Sequence, residues 1–146
     1  MTFESIESIE SRYKEVLLKL QKNSNFNDLD LNSRINDLSH RNGDDNGGVF
    51  YGFKDGIYFE AATERGEETY RRETNDSNEF LSWLVKSMAS GLASKWASRN
   101  RIQGQDFRRQ YFAKNIEILK SINETWAVEE ENHLEEMLSR APFDDS

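Results

Sequence analysis

The sequence predicts an α+β fold: an N-terminal helix, a three-stranded antiparallel β-meander, then three C-terminal helices packed on the sheet. Two observations carry this reading. Apolar residues recur at three- and four-residue steps near the N-terminus and throughout the second half, the helical period. Between them, aromatic and β-branched runs flank Lys54-Asp55-Gly56 and then lead into Glu64-Arg65-Gly66-Glu67, two hairpin signals in succession.

Residues Phe3 to Lys22 read as the first amphipathic helix, with Phe3, Ile6, Ile9, Tyr13, Val16, Leu17 and Leu20 on one stripe. Thr2 is the candidate cap, and Glu4 and Glu7 suit the positive end of the helix. Residues 23–48 form a polar loop region rich in Asn, Asp, Ser and Gly, in which Leu29, Leu31, Ile35 and Leu38 suggest a short helix or turn. Val49 to Phe53, Ile57 to Thr63 and Glu68 to Thr74 are the strands. In the third, Thr69, Arg71 and Glu73 take one face and Tyr70 and Arg72 the other. Gly66 supplies a positive φ in the second turn, and Arg65 is expected to pair with a carboxylate. A sheet of this size needs helices on one face.

The next helix opens at Asp76 or Ser77, with Glu79 in its first turn and a stripe of Leu81, Leu84, Val85, Met88, Leu92 and Trp96. Gly104 ends that pattern, and a third helix starts near Asp106 with Phe107, Tyr111, Phe112, Ile116, Leu119 and Ile122 inward. A fourth runs from Glu124 to Ser139 on Trp126, Leu134, Met137 and Leu138, and Ala141-Pro142-Phe143 closes it. Trp83, Trp96 and Trp126 all lie on such stripes and read as core.

The 146 residues fit a single domain, 1–146. Apolar residues make up 36% and charged residues 32%; with 12% aromatics the chain is polar without being disordered. The absence of cysteine excludes disulfides, thiolate metal sites and thiol nucleophiles. No apolar run is long enough to span a membrane, and Met1 to Glu7 lack a basic segment followed by an apolar one, so a cytoplasmic protein with no membrane partner is expected.

Net charge is −8, which argues against nucleic acid as a partner. The charge is segregated. From Arg99 to Lys120 six cations face two acids, a balance of +4. From Asn123 to Ser146 eight acids face Arg140 alone, a balance of −7. Such a field steers encounter with an oppositely charged protein. The candidate partner-binding residues are therefore Glu129, Glu130, Glu131, Glu135 and Glu136, then Asp144 and Asp145, with Asp44 and Asp45 in the polar loop as second choice.

Catalytic, cofactor and metal readings find no support. His40 and His133 each stand alone, and a metal site needs three or four ligands. His133 with Glu129 and Glu136 at helical spacing suits a solvated face better than a metal site. Glu64 beside Arg65 suggests an acid and a clamp, but antiparallel turns are usually solvent-exposed, and the structural reading of this turn is the better one. No phosphate-binding glycine loop and no nucleophile elbow occur. Arg108-Arg109 at a helix start is electrostatically unfavourable and is expected to pair with Asp106 or with acids of the tail.

The order Ile57-Tyr58-Phe59-Glu60, Glu64-Arg65-Gly66, Tyr70-Arg71-Arg72, a long helix, Gln105-Asp106-Phe107-Arg108-Arg109-Gln110-Tyr111-Phe112, then Leu119, Trp126, Leu134, Leu138 and Pro142-Phe143 resembles the immunity protein 63 family. That family belongs to bacterial polymorphic-toxin and contact-dependent growth inhibition systems. The resemblance runs from Val49 to Phe143. It implies a non-enzymatic protein that neutralises a cognate toxin domain, often a basic nuclease, by direct contact. Two other readings stay open: an acidic type III secretion chaperone holding an effector segment, and a carboxylate-based hydrolase using Glu64.

Overall fold

The computed structural model describes residues 3–35 and 48–146. Element order is α1 (Ile6–Lys22), a 3₁₀ turn (Ser24–Phe26), α2 (Asn32–Ile35), β1 (Gly48–Lys54), β2 (Ile57–Glu64), β3 (Glu67–Thr74), α3 (Ser77–Arg99), α4 (Phe107–Ile122) and α5 (Glu124–Arg140). This is the expected α+β order of helix, three antiparallel strands and three helices. Two compact units share the chain. One holds the described residues up to Leu17 and from Asn32 to Leu84; the other holds Leu18–Leu31 and Val85–Ser146.

In the first unit the strands pair β1-β2-β3. Both hairpins close with two-residue turns, Lys54 facing Ile57 and Glu64 facing Glu67. Positive φ at Asp55 and Gly56, and again at Arg65 and Gly66, marks them as type I′, whose twist matches the strands. A register shift at Ala62/Thr63 leaves Thr69 unpaired on β3, a bulge. Beyond it the expected alternation holds, and Arg72 lies across from Glu60 while Arg71 lies across from Ala61.

One sheet face carries Tyr51, Phe53 and Tyr58, and the start of α3 packs on it. Tyr58 stacks on Phe80 at 5.2 Å, Tyr51 meets Phe80 edge-on at 5.7 Å, and Phe80 meets Trp83 at 5.8 Å. Ile9 and Tyr13 of α1 are buried, and the Glu10 carboxylate accepts from the Tyr51 hydroxyl at 3.0 Å. Ser5 caps α1 by accepting from the Ser8 amide, 3.1 Å away. The expected cap, Thr2, lies outside the described residues, as do Leu38, His40, Asp44 and Asp45.

In the second unit the stretch read as polar loop contributes three buried side chains, Phe26, Leu29 and Leu31. Helix α3 buries residues on most of its circumference, including Ala89, Ala93 and Ala97 at four-residue steps. The buried stripe of α4 differs from the expected one. Phe112 and Leu119 are inside, but with them are Lys114, Asn115 and Ile118, while Ile116 and Ile122 are only half-buried. Lys114 reaches this position because its aliphatic stem is buried and its ammonium lies 4.2 Å from the Trp96 ring centre and 3.1 Å from Glu117. Of the three tryptophans expected in the core, Trp83 is buried; Trp96 and Trp126 are half-buried, and the Trp96 indole donates to Asp28. Met137 was expected on the inner stripe of α5 and is 40% exposed.

Candidate protein-binding surface

Helix α5 buries Ala127 and Leu134, seven residues apart, and this fixes where its acids point. Glu129 and Glu136 share one solvent-facing strip with His133 and Arg140. Glu131 and Glu135 share another with Glu124 and Val128, about a third of a turn away. Glu130 lies on the other flank of the buried line, and it and Glu131 are both half-buried. The five glutamates thus form two strips with one residue apart, not a single patch.

Their charges are unevenly compensated. Glu129 lies 3.4 Å from Lys86, Glu131 lies 3.4 Å from Lys120, and Glu136 lies 2.5 Å from Arg140. Among the described residues Glu124, Glu130 and Glu135 have no ion pair. Glu124 was not singled out in the sequence; its seven-residue spacing from Glu131 is the signal that finds it.

The tail acids are placed differently. Asp106 caps α4: its side chain accepts from the Arg108 amide at 2.9 Å, from the Arg108 guanidinium at 2.9 Å and from the Asp144 amide at 2.8 Å. Arg108 also donates to the carbonyls of Ala141 (2.9 Å) and Pro142 (2.8 Å). Asp145 accepts from the Asp106 amide at 2.8 Å and from Arg109 at 3.0 Å. The Arg109 guanidinium lies 4.3 Å from the Phe143 ring centre. Both arginines therefore pair as expected, and the tail is strapped across the start of α4. The bonds from Arg108 hold the Asp106 carboxyl far below the usual range, and the bond from Arg109 lowers Asp145. Hydrogen bonds from the Ser146 hydroxyl and, at 3.0 Å, from its amide lower the Asp144 carboxyl as well.

Glu64 and Arg65 sit at the exposed β2–β3 turn. Arg65 does not pair with a carboxylate among the described residues, contrary to expectation; its neighbours Glu64 and Glu67 lie at the tip of a tight turn, where its backbone is left-handed. Three other acids of the hairpin, Glu60, Glu68 and Glu73, pair instead with arginines of β3. Arg72 bridges to Glu60 at 2.9 Å and lies over Trp83 at 4.1 Å, and Arg71 bridges to Glu68 at 3.1 Å and Glu73 at 3.2 Å. His133 is exposed beside Glu129 and Glu136, whose carboxylates face Lys86 and Arg140. No group of three or more metal-capable side chains occurs among the described residues. None of their helices is long and apolar enough to cross a membrane.

The class defined is a small α+β protein, with one helix ahead of a three-stranded antiparallel sheet and three helices after it. The chain matches the family model of immunity protein 63 over residues 54–136, from the first hairpin turn to the last helix. That is more than half its length, and the chain belongs to this family of toxin immunity proteins. Neither the curated proteins nor the solved structures include a significant match.

Proposed function

We propose that this chain, residues 1–146 acting as one immunity-type domain in the cytoplasm, binds a basic nuclease toxin and neutralises it by direct contact, without catalysis of its own. The contact residues proposed are Glu129, Glu130, Glu131, Glu135 and Glu136, then Asp144 and Asp145, with Asp44 and Asp45 as the second patch. The observation that carries this reading is the balance of −7 from Asn123 to Ser146 in a chain of an immunity family. A nuclease presents cations to nucleic acid, so an acidic inhibitor competes for the same groups and gains association rate. Within the set, Glu130 and Glu135 are the acids of α5 with no cation of their own among the described residues, which favours them for pairing with the toxin.

The test is recovery of the partner with a tagged copy of the chain, followed by co-expression. The reading requires a basic domain that kills cells when expressed alone and spares them when this chain is present. It also requires that Glu130→Lys with Glu135→Lys weaken the complex at least tenfold. Protection without a stable complex, or a partner held only through an unfolded segment, refutes it.

A further inference from the structure

Three exposed features compete as an additional site: the notch beside Ile102 and Phe107, the strip around Val128 on α5, and the free end of the sheet. The sheet end carries the argument furthest. Val49, Ala62 and Tyr70 stand directly across from one another on β1, β2 and β3. They share a face with Tyr51, Glu60 and Arg72, the row that lies next toward α3. Arg72 of β3 stays exposed, but on β1 and β2 the inner rows are covered, with Tyr51 and Tyr58 buried on Phe80. The outer row is not, with Val49 53% and Tyr70 44% exposed. A valine and a tyrosine in one cross-strand row give a continuous apolar strip rather than a scattered residue. Tyrosine is also a residue type enriched at the energetic centres of interfaces.

One row further out, on the same face, Glu64 stands opposite Glu67. Like charges placed directly across a hairpin destabilise it. Neither carboxylate has an ion pair among the described residues, whereas Glu60, Glu68 and Glu73 are each matched by an arginine. The tip between them holds Arg65 at φ 53, where glycine or asparagine costs less. Folding gains nothing from this pair; a partner bearing cations does.

We infer that the row Val49–Ala62–Tyr70, rimmed by Glu64 and Glu67, docks the folded toxin domain, receiving an apolar side chain flanked by lysine or arginine. This rests on the toxin-binding reading and adds to it a second contact surface, separate from α5. The occupant follows from charge complementarity: an apolar centre with an unmatched acidic rim suits a basic protein surface. A strand added along β3 fits less well, because that edge carries five charged residues and a bulge, both of which discourage strand pairing.

The experiment uses the full chain and the toxin domain identified by co-purification, expressed in a catalytically dead form, with affinity read by titration calorimetry. Tyr70→Asp and Val49→Asp are each expected to weaken binding at least tenfold. Glu64→Lys with Glu67→Lys should lower the association rate, with a smaller effect at high salt. Circular dichroism and the thermal midpoint check folding; Tyr70→Ser and Val49→Thr replace any variant that unfolds. Wild-type binding unchanged within twofold in both row variants overturns this inference and leaves the toxin-binding reading standing. Failure of the wild-type chain to bind the toxin removes both. A wild-type dimer in light scattering that Tyr70→Asp disperses overturns it too, by giving the row to a second copy of the chain.

Discussion

Replacing Phe80 with alanine should remove a large share of the stability of the protein. Phe80 is fully buried, and its ring touches three others: Tyr58 stacked at 5.2 Å, Tyr51 at 5.7 Å and Trp83 at 5.8 Å. It joins β1, β2 and the start of α3. Truncating a buried phenylalanine costs about 3–5 kcal/mol through lost transfer energy and the cavity left behind. Three ring pairs place this site near the top of that range, since each contributes about 0.5–1.5 kcal/mol beyond area. A domain of this size has about 5–15 kcal/mol in total. A loss of about 4 kcal/mol corresponds to a thermal midpoint lower by about 8–16 °C. Urea unfolding followed by tryptophan fluorescence is the assay, because Trp83 lies against the mutated ring. Phe80→Leu keeps most of the volume and should cost about 1–2 kcal/mol. A cost below about 1 kcal/mol for Phe80→Ala would show that the sheet and α3 are not joined through this cluster.

Acid should loosen the tail strap. Asp106 and Asp145 have depressed folded-state values, so their contribution is full above the unfolded carboxylate value of about 3.9 and is lost as pH falls below it. The gap in thermal midpoint between wild type and Asp106→Asn should therefore be constant from pH 7 to about pH 5 and shrink toward pH 2.5; a gap that widens in acid contradicts the assignment. Lys114→Met should cost less than about 1 kcal/mol and Lys114→Ala about 1–2 kcal/mol, because the stem fills the core and the ammonium only tops it. Equal losses in urea unfolding would assign the effect to the charge instead. Gly56→Ala should destabilise more than Gly66→Ala. Both residues have left-handed backbone, costing about 1–2 kcal/mol with a side chain, but only at Gly56 does the new Cβ meet Phe3, at 3.0 Å. The excess should vanish when Phe3 is alanine, as thermal unfolding of the four variants would show.

Much of the fold was legible from local signals. Asp55-Gly56 and Arg65-Gly66 fix two-residue turns because each needs positive φ twice, so the strands between and beside them follow almost to the residue. Asp106 was legible as the start of α4, and its pairing with Arg108 was among the partners expected. The inner stripe of α4 was not. A rule that sorts residues by polarity puts Lys114 and Asn115 outside, whereas burial follows helix phase, and Lys114 satisfies its charge on Trp96 and Glu117. Phe26 was hidden by the polar residues around it, while Leu29 and Leu31 read only as part of a short helix or turn and not as core.

The same division holds for the candidate surface. Composition alone placed a concentration of negative charge after Asn123, because net charge needs no coordinates. Only the folded chain decided which of those charges remain uncompensated. Lys86 reaches Glu129 across forty-three residues of sequence, and Arg109 reaches Asp145 across thirty-six. Nor does the sequence mark Val49 and Tyr70 as neighbours, since strand register brings them onto one exposed row. Charge and periodicity are sums over neighbours along the chain and can be read there; compensation and exposure depend on what lies across space, which the chain fixes only once it has folded.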